Sequence, residues 1–261
     1  MPCCARMRLS SDGMHEMIGF EPAHWPAPTR VRAGQTLRTG GVGLPPYDDF
    51  NLASHVGDDA RTVAENRRRL RAALRLPSEP VWLRQVHDVE VIALPCAQSE
   101  PQADAAWTAT PGIVCAVLTA DCLPVLFCAD DGSAVAAAHA GWRGLAAGVL
   151  EATVAAMPVP SERIIAWMGA AIGPDAFEVG PEVRTRFIAD DPTLSRCFVA
   201  GRGDRWFADL YALARARLRR AGVTAVYGGH ACTYRDARRY FSYRRAPRCG
   251  RMATLIWITP A

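Results

Sequence analysis

The sequence predicts an α/β layered fold with a mixed sheet. Short apolar runs of strand length alternate with stretches of helical character, and most of these runs are apolar throughout. Continuous apolar runs fit strands covered on both faces, and strands alternating with helices are the mark of layered α/β architecture. The first strand is expected at 31–39, before a loop containing Gly40-Gly41-Val42-Gly43 and Pro45-Pro46. A helix follows over 58–76, with an acidic start, apolar Val63, Leu70 and Leu74, and Pro77 as its stop. Strands at 81–86 and 89–94 flank a tight turn at His87-Asp88, and further strands are expected at 113–118, 125–128 and 133–138. The stretch 144–157 reads as a helix ended by Pro158, and 164–168 as a short strand. Helices are expected at 182–189 and 207–221, the second capped by Gly222 in a left-handed conformation. The last strands are 223–227 and 254–258. Residues 1–28 hold Pro22, Pro26 and Pro28 without periodicity and read as a poorly ordered extension; 29–261 reads as one domain.

Composition narrows the function classes. With 261 residues, half of them hydrophobic, the chain can bury a sizeable core. The net charge of +4 is carried by arginine, with no lysine in the chain. That balance suits anionic ligands but is too weak and scattered for a nucleic-acid surface. The densest basic run, Asn66-Arg67-Arg68-Arg69-Leu70-Arg71, reads as a solvated helix face. Nine cysteines, dispersed and without a secretory signal before them, predict a reducing, cytoplasmic setting rather than a disulfide framework. No stretch approaches the roughly 18 apolar residues that span a bilayer.

Three short stretches place a good metal ligand beside small or polar residues. In Arg84-Gln85-Val86-His87-Asp88, His87 sits at an expected strand end. In Thr119-Ala120-Asp121-Cys122-Leu123-Pro124, Cys122 lies where an apolar strand breaks, and Asp121 is placed to orient a ligand or act as an acid or base. In Ala138-His139-Ala140-Gly141-Trp142-Arg143-Gly144, His139 ends a strand of small residues and the glycines permit a sharp turn. The helix expected after this turn would aim free N–H groups at an anion, and Arg143 adds a fork suited to phosphate. Two imidazoles and one thiolate form a catalytic type of zinc set, with a position left open. A Cys122 nucleophile with His139 as base uses the same residues. Near the end, Tyr240-Phe241-Ser242-Tyr243-Arg244-Arg245 reads either as a base-stacking, phosphate-holding string or as an edge strand with a basic outer face.

These stretches resemble the bacterial laccase-domain family, also called the multicopper polyphenol oxidoreductase or YfiH-type family. The matching pieces run in order from about residue 35. They begin with Asn51-Leu52 and His55-Val56-Gly57-Asp58, then Gln85-Val86-His87, Ala120-Asp121-Cys122 and His139-Ala140-Gly141-Trp142-Arg143-Gly144. Gly173-Pro174 with Glu178-Val179-Gly180, Cys232-Thr233, Phe241-Ser242-Tyr243-Arg244-Arg245 and Gly250-Arg251-Met252 complete them. The resemblance implies a three-layer α/β/α sandwich and a zinc site at His87, Cys122 and His139, where copper can also bind. It implies purine nucleoside phosphorylase activity, with nucleoside and phosphate as substrates, and an accompanying adenosine deaminase activity. Arg143, Arg244 and Arg245 are then the candidates for phosphate, Asp121 for proton transfer, and Cys122 a candidate catalytic residue. Where the family often has glycine after the first histidine and cysteine in the glycine-rich segment, this chain has Asp88, and Ala170 and Ala171. Alternatives kept open are a copper-dependent polyphenol oxidase, a cysteine hydrolase or peptidoglycan-editing factor using Cys122, and a metal-dependent binding module. A multicopper cluster needs many histidines, and the chain has six.

Overall fold

A computed structural model describes residues 18–260. In chain order the first half holds strands β1 (Phe20–Pro22) and β2 (Val31–Thr36), helix α1 (Ala60–Leu74), and strands β3 (Val91–Ala93), β4 (Ala105–Thr108), β5 (Val114–Thr119), β6 (Leu123–Ala129) and β7 (Val135–Ala140). Helices α2 (Trp142–Ala147) and α3 (Val149–Ala156) follow, then β8 (Ile164–Met168), β9 (Glu178–Val179) and α4 (Pro181–Asp190). The rest is β10 (Phe198–Ala200), β11 (Trp206–Ala208), α5 (Leu210–Arg220), β12 (Ala225–Gly228) and β13 (Met252–Ile258).

The expected sandwich, with helices outside and a mixed sheet inside, is present, and its β layer is double. A sheet ordered β1-β2-β13-β5 lies against a mixed sheet ordered β12-β8-β6-β7-β4-β3, with a small third sheet β10-β11-β9 beside them. Alternation along each strand shows how the layers form. On β6, Val125 and Phe127 face α2–α5, while Leu126 and Cys128 join Cys115, Val117 and Ile256 between the two sheets. On β5, Val114, Ala116 and Leu118 turn the other way and meet Phe50, Leu52 and Leu70 under α1. Every residue of β5, β6 and β7 is buried, as their almost wholly apolar sequence requires, Thr119 and His139 included.

Local chemistry sets the element ends. Asp59 caps α1 by accepting from the N–H groups of Arg61 and Thr62, and Val63, Asn66 and Leu70 form its buried face. Several expectations are corrected. The part of the supposed extension within the described residues is ordered: β1 pairs antiparallel with β2, and an outer strand of three residues tolerates Pro22 at its end. Residues 1–17 lie outside the described residues. The single helix expected over 144–157 is two helices, because Gly148 takes a left-handed conformation (φ 105°) and donates to the Gly144 carbonyl. The helix expected from 207 starts at Leu210, because Asp209 caps it and β11 claims Trp206–Ala208. The strand expected at 81–86 is reduced to single bridges from Val81 to Cys115 and from Arg84 to Gln102.

Candidate metal centre

His87, Cys122 and His139 come together at one end of the sheets. Their ligand atoms all lie within 4.8 Å of one another, and among the described residues this is the one group of its kind. Each arrives from a different local structure. His139 is the penultimate residue of β7 and is buried. Cys122 is half-buried at the break between β5 and β6, after Asp121 turns the chain with φ 87°. His87 sits on the expected tight turn with φ 66°. Its imidazole Nε2 lies 3.8 Å from the Cys122 Sγ, and the two imidazoles meet edge to face at 4.7 Å.

The residue that organises the centre is Asp104, just before β4, and the sequence reading missed it. One oxygen accepts from the His87 N–H at 3.0 Å and is 2.7 Å from His139 Nδ1. The other accepts from the Val86 and Asp88 N–H groups at 3.0 and 2.9 Å. A single buried carboxylate therefore fixes the His87 turn and the His139 ring together. With Nδ1 donating to Asp104, His139 keeps Nε2 free as a ligand, the second-layer arrangement that orients metal-binding imidazoles. Burial opposes the ionisation of Asp104, but His139 and the N–H groups of Asp88 and Val86 outweigh it and hold its carboxyl below the ordinary range. Gln85 secures the same segment by pairing its amide with both the N–H and the carbonyl of Leu118 on β5.

The electrostatics prepare the thiol for a cation. Burial pushes the Cys122 thiol up, but His139 and His87 outweigh it and bring it down to about 6. Burial pulls His139 down, and the Cys122 thiolate with Asp104 lifts it to about 9. Space is also set aside. A Cβ on Gly141 would lie 2.8 Å from His87 Cδ2 and 3.0 Å from Cys122 Sγ, so only glycine lets the backbone pass this close. Two imidazole nitrogens and a low-pKa thiolate are the donor set of a zinc site with one position left open, and the residues present fit that ion.

The remaining candidates are placed differently. Asp121 is nearly buried and accepts from Thr233 Oγ1 at 2.6 Å, Ser242 Oγ at 3.0 Å and the Arg244 N–H at 2.6 Å. It thereby ties the loop after β12 to the end of β5, beside Cys122. Arg245 points its guanidinium at the carbonyls of Thr233, Tyr234 and Tyr240, at 2.6, 2.9 and 2.6 Å. Arg244 donates to the Glu178 carbonyl at 2.9 Å and lies over Phe177. The 240–245 string is thus an irregular loop; the edge strand is absent, Arg245 braces the loop from within and Arg244 ties it to β9. Arg143 is exposed and stacks on Trp142 at 4.6 Å. The helix start expected to receive an anion belongs to α2, which at six residues is under two turns long and has little aligned dipole. An open groove of about 830 Å³, lined by Arg84, Val86, Asp88, Glu90 and Glu100 among others, runs beside the His87 turn. That volume is in the range of small-molecule sites, about 300–1,000 Å³.

Residues 32–259 match the family model described as multi-copper polyphenol oxidoreductase laccase. The chain belongs to this family. Within the laccase family it is similar to a Pseudomonas aeruginosa protein named purine nucleoside phosphorylase, 54% identical over 239 residues, covering 90% of this chain and 96% of the relative. It is 55% identical over 238 residues to Escherichia coli purine nucleoside phosphorylase YfiH, with the same coverage. Among solved structures, the Neisseria meningitidis protein NMB0706 of the DUF152 family matches with a TM-score of 0.89 and 46% identity, covering 93% of this chain and 100% of that one. YlmD from Geobacillus stearothermophilus matches with a TM-score of 0.83 and 30% identity, covering 89% and 93%. Among the described residues, no helix is long and apolar enough to cross a membrane.

Proposed function

We propose that the chain is a zinc-dependent purine nucleoside phosphorylase that also deaminates adenosine. The observation that carries the metal reading is the His87–Cys122–His139 group with His139 Nδ1 fixed by Asp104. The relatives named purine nucleoside phosphorylase support the substrate class. Zinc would be held by His87, Cys122 and His139, and when bound supplies Lewis acidity at an open coordination position.

The chain's own residues do the rest. Asp104 holds both histidines, and Gly141 keeps the approach clear. Asp121 has its oxygens engaged by three donors, so we assign it to positioning Ser242 and Arg244 rather than to moving protons. We assign Arg244 and Arg245 to holding the loop that Asp121 ties beside Cys122, and the exposed Arg143 to meeting an anion. In phosphorolysis a phosphate oxygen bonds to the sugar C1′ as the bond to the purine nitrogen breaks, and the electron pair leaves with the base. Donors aimed at the charge developing on that base lower the barrier. In deamination water replaces the amino group of adenosine, which leaves as ammonia.

Two rival readings use the same residues. A multicopper oxidase requires several copper sites, whereas the described residues gather one group of three ligands. Copper at that group remains chemically favourable, since sites for zinc generally hold Cu(II) more tightly. A cysteine hydrolase is favoured by one observation, the lowered Cys122 thiol beside a raised His139. One experiment separates them: metal content by mass spectrometry on protein purified without added metal, with adenosine plus phosphate assayed on the same samples and on His87→Ala, Cys122→Ala and His139→Ala. About one zinc per chain, lost together with release of adenine and inosine in each variant, is the expected result. Full turnover by metal-free protein would overturn the zinc reading in favour of Cys122 as nucleophile.

A further inference from the structure

Two motifs in the sequence take no part in the metal centre: the stretch from Asn51 to Asp58, containing His55, and Gly250-Arg251-Met252. The fold binds them to each other. Asn51 is fully buried, and its side-chain oxygen accepts from the N–H groups of Ala53 and Arg251 at 3.0 and 2.9 Å. The Leu52 N–H donates to the Arg251 carbonyl. Helix α1 is fastened to the same place, because Asn66 donates to the Asn51 carbonyl at 2.9 Å and Arg67 Nε to the Leu52 carbonyl at 3.0 Å. His55, Arg67 and Arg251 are thereby collected from a loop, a helix and the approach to β13.

Both guanidiniums are anchored from one side only. Arg67 lies over the Trp82 ring at 4.3 Å and uses Nε alone. Arg251 uses Nη1 alone, toward the carbonyls of Cys249 and Gly250 at 2.8 and 3.0 Å and toward the Cys249 thiol, and lies 5.8 Å from the exposed Tyr243 ring. Among the described residues neither arginine makes an ion pair, and Arg67 Nη1 and Nη2 and Arg251 Nη2 make no hydrogen bond. The expected solvated basic face thus includes an arginine that is half-buried on an aromatic ring. His55 feels both arginines: burial first, then Arg251 and Arg67, lower its pKa, with Glu100 opposing. Glu100 and Glu79 partly balance Arg67. Two half-buried guanidiniums beside an imidazole, without a bonded carboxylate, form a cradle that an anion would stabilise.

Arg251 is at the end of the sheets that carries the metal ligands. Met252, the residue after Arg251, pairs with Thr119 at the end of β5, from which the chain passes through Asp121 to Cys122. Cys249 lies within electrostatic reach of both Arg251 and Asp121. Arg245, by contrast, has both of its Nη atoms committed to backbone carbonyls.

We propose that His55, Arg67 and Arg251 form an oxyanion site that holds a phosphate group for the reaction at the metal centre. Naming the anion as phosphate rests on the phosphorolytic reading; the cationic cradle itself does not. The phosphate is either the free ion or the ester of a nucleotide, and both present the planar faces of oxygens that arginine forks grip in pairs.

The test has a binding arm and a kinetic arm, both on the full chain. Phenylglyoxal labelling with peptide mapping reports on Arg67 and Arg251 without any added substrate. Protection by inorganic phosphate supports the site and assigns it to the free ion; protection by adenosine 5′-monophosphate alone supports the site and assigns it to the ester; protection by neither overturns it. In kinetics, Arg67→Gln, Arg251→Gln and His55→Gln should each raise the KM for phosphate about tenfold or more, with the KM for nucleoside little changed. Arg251→Lys should recover part of the loss, and Arg202→Gln, which removes the same charge from an exposed loop, should change neither KM. Phosphate-dependent turnover with an unchanged phosphate KM in all three variants would sink this site and leave the phosphorolytic reading standing. Wild-type turnover without any need for phosphate would sink the phosphorolytic reading, while protection of the two arginines would still support the site.

Discussion

Asp104→Asn tests how the centre is assembled. The substitution keeps shape and removes charge, and it turns one of two fully used oxygens into an NH₂ group. One oxygen serves His87 N and His139 Nδ1, the other Val86 N and Asp88 N, so either orientation of the amide sets a donor against two donors. If the amide nitrogen faces His139, the ring must accept at Nδ1 and carry its proton on Nε2, the atom a metal needs. If it faces the other way, the turn bearing His87 loses two of its anchors. Bonds to a charged acceptor contribute about 1.5–3 kcal/mol each, so losing two lowers folding stability by about 3 kcal/mol or more. Loss of an orienting carboxylate behind a histidine ligand weakens metal binding about 10–100-fold, or about 1.4–2.8 kcal/mol. Urea unfolding measures the first quantity, and zinc competition against a chromogenic chelator the second. An Asp104→Asn protein with wild-type urea midpoint and zinc affinity would falsify the idea that one carboxylate sets both histidines.

Other expectations follow from particular contacts. Gly141→Ala should lower zinc affinity about tenfold or more while leaving the unfolding midpoint nearly unchanged, because its Cβ would press on His87 and Cys122 and not on the core; unaltered affinity would contradict the close approach. Arg217, only 2% exposed, reaches Asp190 at 2.6 Å, Glu151 at 3.2 Å and the Ala146 carbonyl at 3.1 Å. Arg217→Ala should therefore cost about 3–5 kcal/mol by urea unfolding, and Arg217→Met, which keeps most of the packing, distinctly less; equal losses would show that the lost ion pairs, not packing, dominate. Burial pushes the thiols of Cys115 and Cys128 up to about 12, with Asp131 and Asp130 adding to the effect at Cys128. Both stay protonated below that pH, so native protein at pH 8 should not be alkylated there. Cys122 should react once chelator is added and be shielded by zinc; shielding that fails would count against Cys122 as a ligand.

The sequence foretold most where one stretch of chain carries its own signal. The apolar runs that became β5 and β6 are buried on both sides, and that is visible without knowing what covers them. The three ligands stood out because each lies at a break beside glycine, proline or a turn. Asp104 did not, since it sits in an alanine-rich stretch without periodicity, and its partners are 16 to 35 residues away. The role of Arg245 was hidden for a related reason: its acceptors are backbone carbonyls, which carry no residue signature. The helix break at Gly148 was masked by surrounding alanine, valine and leucine, all compatible with one continuous helix. What the chain hides is thus mainly long-range polar pairing.

The segment leading to His87 has a second consequence. Strand β5 ends its sheet, and among the described residues its outer edge is met by no full strand, only by the bridge from Val81 and by the Gln85 amide standing in for a peptide group. The strand beneath, Val-Cys-Ala-Val-Leu-Thr, is short, uncharged and rich in β-branched residues, the composition that joins edge to edge between molecules. The cover over that edge and the first metal ligand are two residues apart. Conditions that loosen the His87 turn would therefore expose a template for aggregation, and the chain's tendency to aggregate should follow the integrity of its metal centre.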